Sequence, residues 1–266
     1  GLTVGGTVGP VEYLGGYLWK MKARNSDDFR FMSGEAGAPG SDDGVAMFGA
    51  RVKPLPGLVV EFNEQYGINT FNTVWVLAEY TQALAPDLKL FIGGQFTDER
   101  AVGDKLLTNA SVQDWDVQNV SLKAALTWKE VTFSIGGQVT GSGNTIQAPW
   151  GSYPGYWSLI QEDFDRANEK AVGIGVAYDF SKLLTPGLSA FANIAWGWDA
   201  IDPKTRASAP DQTEYDLTVD YRPPFKFPAF LQGMWLRVRG AILDQENADQ
   251  TGWQVRLILN WERDLL

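Results

Sequence analysis

The sequence predicts an all-β fold, an antiparallel transmembrane β-barrel, on the basis of three observations. First, segments of about ten residues alternate apolar and polar side chains, and a period of two is typical of strands whose faces meet different environments. Second, the connections between segments alternate between short and long along most of the chain. Third, the apolar face of Trp253–Trp261 carries an aromatic residue at each end. Strands that cross an outer membrane combine these features.

The segment Trp253–Trp261 shows the pattern most clearly. One face carries Trp253, Val255, Leu257, Leu259 and Trp261, and the other carries Gln254, Arg256, Ile258 and Asn260. A strand of this length, tilted by about 40°, rises roughly 20 Å, which matches the apolar band of an outer-membrane barrel.

Twelve strands are predicted, and Leu2–Val8 is expected to be the remnant of a preceding strand. The predicted strands are Val11–Arg24, Val45–Lys53, Leu58–Tyr66, Asn72–Thr81, Leu88–Thr97, Val120–Lys129, Val131–Thr140, Val172–Phe180, Leu188–Asp199, Thr213–Tyr221, Leu231–Leu243 and Trp253–Glu262. Residues 1–266 are expected to form a single barrel domain. Its extracellular loops are predicted near residues 25–44, 98–119, 141–171 and 200–212.

A soluble antiparallel sheet with one wet face would also explain the alternation. The predicted strand Thr213–Tyr221 argues against it. The residues assigned to its inner face are Glu214, Asp216, Thr218 and Asp220. Such a face cannot line a dry core, because burying unpaired polar groups is costly, but it can line water. The sequence therefore favours a pore over a soluble sandwich.

Composition excludes several function classes. The 266 residues carry a net charge of −10 and contain neither cysteine nor histidine. The acidic balance argues against binding to nucleic acid, which needs a basic surface. A Ser–His pair, a cysteine nucleophile and a histidine-ligated metal are impossible. We therefore predict no enzyme activity, no metal site and no cofactor.

Strand parity places a row of basic side chains in the predicted lumen. This basic ladder consists of Lys20, Lys22, Arg24, Arg51, Lys123, Arg237, Arg239 and Arg256. If Leu243 pairs with Gly252, Arg239 lies opposite Arg256. Guanidinium groups match carboxylates with two parallel hydrogen bonds, and a row of them passes an anion between weak sites. In the alternative interpretation, arginine–acid pairs simply brace the wall.

Acidic side chains are predicted on an opposing wall, where they would set a transverse field across the pore. These residues are Glu61, Glu79, Glu214, Asp216 and Asp220. The longest connection is predicted to narrow the pore through Trp150, Tyr153, Pro154 and Tyr156, with a short helix over 157–170. Alternatively, this connection packs against neighbouring loops and seals the rim.

Several stretches resemble the OprD family of outer-membrane porins. They are Trp150–Tyr156, Glu162–Ala171, Tyr178–Ser181, Gly15–Tyr17 with Arg24–Ser26, Gly103–Leu107, Arg256–Trp261 and Leu265–Leu266. The resemblance implies part of an eighteen-stranded barrel, with the N-terminal third missing. It also implies a row of basic residues, and Arg237 with Arg239 resembles the family's Arg-x-Arg step on a late strand.

The resemblance and the basic ladder together predict passive, substrate-selective uptake of small solutes, with carboxylates or amino-acid-like nutrients as the expected class. The predicted location is the bacterial outer membrane. The predicted partners are the lipid bilayer with its lipopolysaccharide and small anionic solutes, and the expected form is a monomer or a loose trimer. The alternatives are a structural barrel that holds another protein, a non-selective pore and an outer-membrane enzyme.

Overall fold

The computed structural model of the protein describes residues 1–23, 26–108, 112–151, 154–224, 232–247 and 251–262. Its elements in chain order are β1 (Leu2–Val8), β2 (Val11–Leu18), β3 (Lys20–Met21), β4 (Arg30–Phe31), α1 (Met32–Glu35), β5 (Val45–Leu55), β6 (Leu58–Gly67), β7 (Phe71–Ala85), β8 (Leu88–Ala101), β9 (Asp116–Trp128), β10 (Val131–Thr140), β11 (Lys170–Asp179), β12 (Leu188–Trp198), β13 (Gln212–Tyr221), β14 (Met234–Gln245) and β15 (Gly252–Trp261).

Thirteen of these strands form one antiparallel sheet, in which neighbours along the chain are neighbours in space. The all-β antiparallel prediction is confirmed, and Leu2–Val8 forms a seven-residue strand that pairs with β2 along its whole length. In the described residues, the two strands at the edges of this sheet are β1 and β15. The remaining strands, β3 and β4, form a separate hairpin in the first long connection.

The two faces of the sheet reverse the arrangement of a soluble protein. Apolar side chains on the outer face are open, as at Trp253 (76% exposed) and Leu257 (73%). Polar side chains on the inner face of β13 are covered, and both Glu214 and Thr218 are fully buried. Because apolar groups avoid water, the outer face suits lipid and the inner face encloses polar groups, as the parity analysis predicted.

The connections differ at the two ends of the sheet. Turns of two residues, at 9–10, 56–57, 86–87 and 129–130, join strands at one end. Long connections, at 19–44, 102–115, 141–169 and 199–211, join strands at the other, which we call the long-loop end. In the turn before β6, Gly57 has φ +81° and a Cβ there would lie 2.2 Å from the Thr81 carbonyl oxygen, so only glycine fits.

The first predicted strand is too long. It was expected to reach Arg24, but β2 ends at Leu18, whose register partner Val45 is the first residue of β5. No residue of β5 remains to pair with the chain beyond Leu18, so Lys20 and Met21 pair with β4 instead. Lys20 and Lys22 therefore lie in the first long connection, outside the wall of the main sheet.

Other strands extend further than predicted. The observed β7 and β8 end at Ala85 and Ala101, rather than Thr81 and Thr97. The prediction of a helix over residues 157–170 is wrong: residues 157–169 contain turns and bends and no helix, and Lys170 is already the first residue of β11. The α-helical residues that the structure describes form no element long and apolar enough to cross a membrane.

Candidate functional site

Residues 156–164 of the longest connection fold inward against the wall of the sheet. We call this segment the strap. It contains two fully covered aromatic residues, Trp157 (1% exposed) and Phe164 (0%). The strap consequently packs against the inner face of the sheet rather than over the rim at its long-loop end.

A row of register partners lies beneath the strap on the inner face of the sheet. From β7 to β13 it consists of Glu79, Gly93, Lys123, Gly136, Gly173, Ala195 and Glu214. We call it the small-residue row, because most of its members have little or no side chain. The row has carboxylates at both ends and a single ammonium group between them.

The first end of the strap is tied to β7. The Tyr156 hydroxyl donates a hydrogen bond of 2.9 Å to Glu79 Oε1. Burial and this bond to a carboxylate raise the pKa of Tyr156, which therefore stays protonated. The Lys123 ammonium lies 6.0 Å from the centre of the Tyr156 ring and 5.9 Å from the centre of the Trp157 ring. Both distances are within the range of cation–π attraction.

The second end of the strap is tied to β13. One Glu214 oxygen accepts the backbone N–H groups of Ile160 (3.0 Å) and Gln161 (2.8 Å). The other oxygen accepts the N–H of Glu162 at 2.8 Å. Asp216 also accepts the N–H of Ile160, at 3.2 Å. Because these N–H groups bind side chains, they are not available for the i→i−4 bonds of the predicted helix.

Two further contacts hold the same segment. Arg256 on β15 donates through Nη2 to the Ile160 carbonyl oxygen at 2.9 Å and through Nε to Gln254 at 2.6 Å. Gln138 on β10 donates to the carbonyl oxygens of Asp163 (2.8 Å) and Phe164 (2.5 Å). The strap is thus bonded to four strands of the wall.

Glycines on the inner face make room for the strap. A Cβ at Gly93 would lie 2.1 Å from the Tyr156 hydroxyl oxygen, and a Cβ at Gly173 would lie 2.1 Å from the Trp157 ring. Any side chain at either position would therefore displace the aromatic residue above it. We call Gly93 and Gly173 the glycine seats, because Tyr156 and Trp157 pack directly over them.

Acidic residues within and beside the strap are buried with few cations around them. Burial raises the pKa of Asp163, although a hydrogen bond from Ser158 opposes the rise. Burial also raises the pKa of Asp165 well above its usual value, and nearby Asp163 and Glu169 add to the effect. Glu169 itself is fully buried and pairs with Arg166 at 2.7 Å.

Basic residues of β14 and β15 lie on the inner face beside the strap. Arg237 forms two hydrogen bonds of 2.7 Å with Asp220, the planar arrangement that guanidinium and carboxylate favour. Arg239 is the register partner of Arg256, and Leu243 pairs with Gly252, which is the predicted register. In the described part of the chain, the buried Nε of Arg239 has no hydrogen-bond partner.

The comparisons with known proteins agree with this geometry. Residues 9–265 match the family model described as outer membrane porin, OprD family. The chain belongs to the OprD family of outer membrane porins. The predictions of a porin rather than an enzyme, and of an outer-membrane location, are therefore confirmed.

Solved OprD-family structures have the same fold. OpdK of Pseudomonas aeruginosa, crystallised with vanillate, is 18% identical with a TM-score of 0.80, and the alignment covers 97% of this chain and 66% of OpdK. OccAB4 of Acinetobacter baumannii is 20% identical (TM-score 0.80; 97% and 63% covered). A BenF-like porin of Pseudomonas fluorescens Pf-5 is 17% identical (TM-score 0.83; 97% and 65% covered). The chain thus spans about two thirds of their lengths, and no curated protein sequence matches it.

The other predicted site residues of this OprD-family chain are dispersed. Arg51 pairs with Glu61 at 3.0 Å on neighbouring strands. Lys20 lies 4.4 Å from the centre of the Phe31 ring, and Lys22 is exposed in the same connection. Arg24 and Tyr153, also predicted for the site, lie outside the described residues. The predicted ladder is therefore not one continuous row. Lys20 and Lys22 lie outside the main sheet, and Arg51 is on β5, which is separated from β14 by several strands.

The predicted constriction residues have different environments. Trp150 stacks on Phe71 with ring centres 4.8 Å apart and donates to the Met32 carbonyl oxygen at 2.8 Å, so it joins two connections at the long-loop end. Pro154 and Trp150 both line one inner cavity of about 260 Å³, together with Trp75. Among the constriction residues that the structure describes, Tyr156 is the one that contacts the small-residue row.

Sequence reasoning missed the residues that seat the strap. Trp157 was assigned to a helix, and the inward glycines were given no role. Their parity was nevertheless informative, because glycines on the inner face of β8 and β11 leave space that another segment must fill. The role of Glu214 was also missed, since its partners are backbone groups from residues far along the chain.

Proposed function

We propose that this chain forms the selective part of an outer-membrane channel for small carboxylates. The main observation behind this proposal is that Arg239 and Arg256 are register partners on the inner face. Like charges this close repel each other. Asp216 lies near Arg239 and offsets part of this repulsion, and a carboxylate that passes between the two guanidiniums would offset more of it.

The distribution of salt bridges supports the proposal. Within the described residues, Arg51 and Arg237 each pair with an acid, whereas Lys123, Arg239 and Arg256 form no salt bridge. Paired charges brace the wall and offer little to a solute. Cations without an acidic partner keep a charge that can attract an anion, although Arg256 also donates to the Ile160 carbonyl oxygen. Several weak sites of this kind allow passage without a deep trap.

Relatives support the same solute class. OpdK was crystallised with vanillate, which is an aromatic carboxylate. We infer that the present chain takes solutes of that chemistry, with one carboxylate and a small body.

Single-channel recording tests the proposal. The protein purified from outer membranes is inserted into planar bilayers under a salt gradient, and benzoate or vanillate is added stepwise. We expect anion-preferring current with concentration-dependent interruptions. Replacement of Arg239 by Gln removes a bond to a charged group, worth about 1.5–3 kcal/mol, so the interruptions should shorten by roughly tenfold or more.

Two results would refute the proposal. If wild-type current ignores both carboxylates, the channel is a general pore. If the carboxylates block wild type and Arg239→Gln equally, the basic pair is not the site. The matched control is the double substitution of Arg51 and Glu61 by Gln, which removes an existing ion pair without leaving a lone charge and should leave the interruptions unchanged.

A further inference from the structure

Glu214 was predicted to be a wall charge that faces the solute, but its environment indicates a different role. The residue is fully buried, and both of its oxygens point at backbone N–H groups of the strap. A carboxylate in this position is screened from a passing ion. Its contacts lie with the strap instead.

Three consecutive N–H groups, from Ile160 to Glu162, converge on this single carboxylate. Successive N–H groups directed at one point form a concave binding place for an anion. Their bonds to a charged acceptor are stronger than bonds to a neutral one. Without the carboxylate these buried N–H groups would lose their partner, which disfavours the docked position of the strap.

Ile160 is held from two sides. While Glu214 on β13 accepts the N–H of Ile160, Arg256 on β15 donates to the Ile160 carbonyl oxygen. At its other end, the strap is held by the bond from Tyr156 to Glu79 on β7. The strap therefore spans the inner face from β7 to β13, with a carboxylate at each end.

We propose that Glu214 is a positioning residue that holds the strap across the lumen and thereby sets the size limit of the pore. The proposal rests on the proposed channel function. It concerns the width of the passage rather than its charge preference. In this role, loss of the Glu214 carboxylate releases the 160–162 segment and widens the passage for solutes of any charge.

The matched substitutions are Glu214→Gln and Asp220→Asn. Both residues lie on the inner face of β13, and both substitutions remove one negative charge at constant size. An amide has only one acceptor oxygen, so Gln at position 214 presents its NH₂ group to an N–H of the strap. Asp220 contacts Arg237 and not the strap, so Asp220→Asn alters lumen charge alone.

Swelling of phosphatidylcholine liposomes that contain the purified protein supplies the readout. Neutral sugars of increasing size are used, because their entry does not depend on lumen charge. We expect Glu214→Gln to speed the entry of di- and trisaccharides by about tenfold or more, since each such factor corresponds to about 1.4 kcal/mol of lost tethering. Asp220→Asn should leave sugar entry at the wild-type rate.

Equal sugar entry in Glu214→Gln and wild type, or equal acceleration in both variants, overturns the proposal. If Glu214→Gln does not fold, as judged by its heat-dependent gel migration, Tyr156→Phe provides the second test. It removes the bond to Glu79 at the opposite end of the strap and should accelerate the same sugars. If the carboxylate proposal alone is wrong, benzoate does not block the current as expected, but the sugar results stay as described here.

Discussion

Replacement of Gly93 by Ala should displace the strap without any change in charge. The new Cβ would lie 2.1 Å from the Tyr156 hydroxyl oxygen and 2.8 Å from the ring carbon that carries it. Tyr156 must retreat by roughly 1 Å or more to reach ordinary van der Waals separation. A shift of that size would stretch its 2.9 Å bond to Glu79 to a length that is no longer a hydrogen bond.

The magnitude follows from the lost bond. A hydrogen bond to a charged group contributes about 1.5–3 kcal/mol, so the ratio of docked to undocked strap should fall by roughly ten- to a hundredfold. Single-channel conductance and trisaccharide entry into liposomes should both rise. The matched control is Gly94→Ala, which points to the outer face and meets only a flexible Leu122 methyl group at 3.2 Å. Identical behaviour of the two alanine variants would refute the seating of Tyr156 on Gly93.

Two more predictions follow from the outer face and from the buried acids. Leu257→Arg, on the outer face, should destabilise the folded protein in vesicles by about 2–4 kcal/mol in guanidinium titrations, whereas Ile258→Arg on the inner face should cost clearly less. Burial raises the pKa of Asp163 and Asp165 above 3.8, so the docked strap binds more protons than the undocked one. Its stability should fall as pH rises from that value through the raised pKa values. Sucrose entry should therefore increase as the pH rises above 3.8, and a flat or falling rate would contradict this.

Strand faces were predictable because they depend on local sequence alone. In β15, side chains alternate between lipid and lumen with a period of two, and the exposures of Trp253 and Leu257 follow that pattern. The pairing of Arg239 with Arg256 was also predictable, since a modest connection fixes the register of its hairpin. Both inferences needed only neighbours along the chain.

Strand ends were less predictable, because they depend on the partner strand. Alternation continues past Leu18, and parity alone placed Lys20 and Lys22 in the lumen. The next strand, however, begins only at Val45, opposite Leu18. Beyond that point the backbone needs other partners, and it finds them in β4.

The conformation of the strap was not predictable from its own residues. Ile160, Phe164 and Ala167 have the spacing of a helix face, and all three are buried. Their burial comes from the wall instead, through the glycine seats and through Glu214, which takes the N–H groups that a helix would use. Contacts between residues so far apart in sequence override local helical preference.

Under the proposed function a chain of net charge −10 attracts anions, and the partners of its inner-face acids help to explain this. Glu61 and Asp220 are each paired with an arginine, and Glu79 and Glu214 are bonded to the strap. A carboxylate that already accepts hydrogen bonds from a guanidinium or from backbone N–H groups repels a passing anion less than a free one does. Asp216 likewise accepts an N–H of the strap. Lys123, Arg239 and Arg256, which form no salt bridge among the described residues, are then left to attract the anion. By this reasoning, release of the strap exposes Glu214 as well as widening the pore. Glu214→Gln should therefore retain more of its anion preference than Tyr156→Phe, which frees Glu79 with its charge intact.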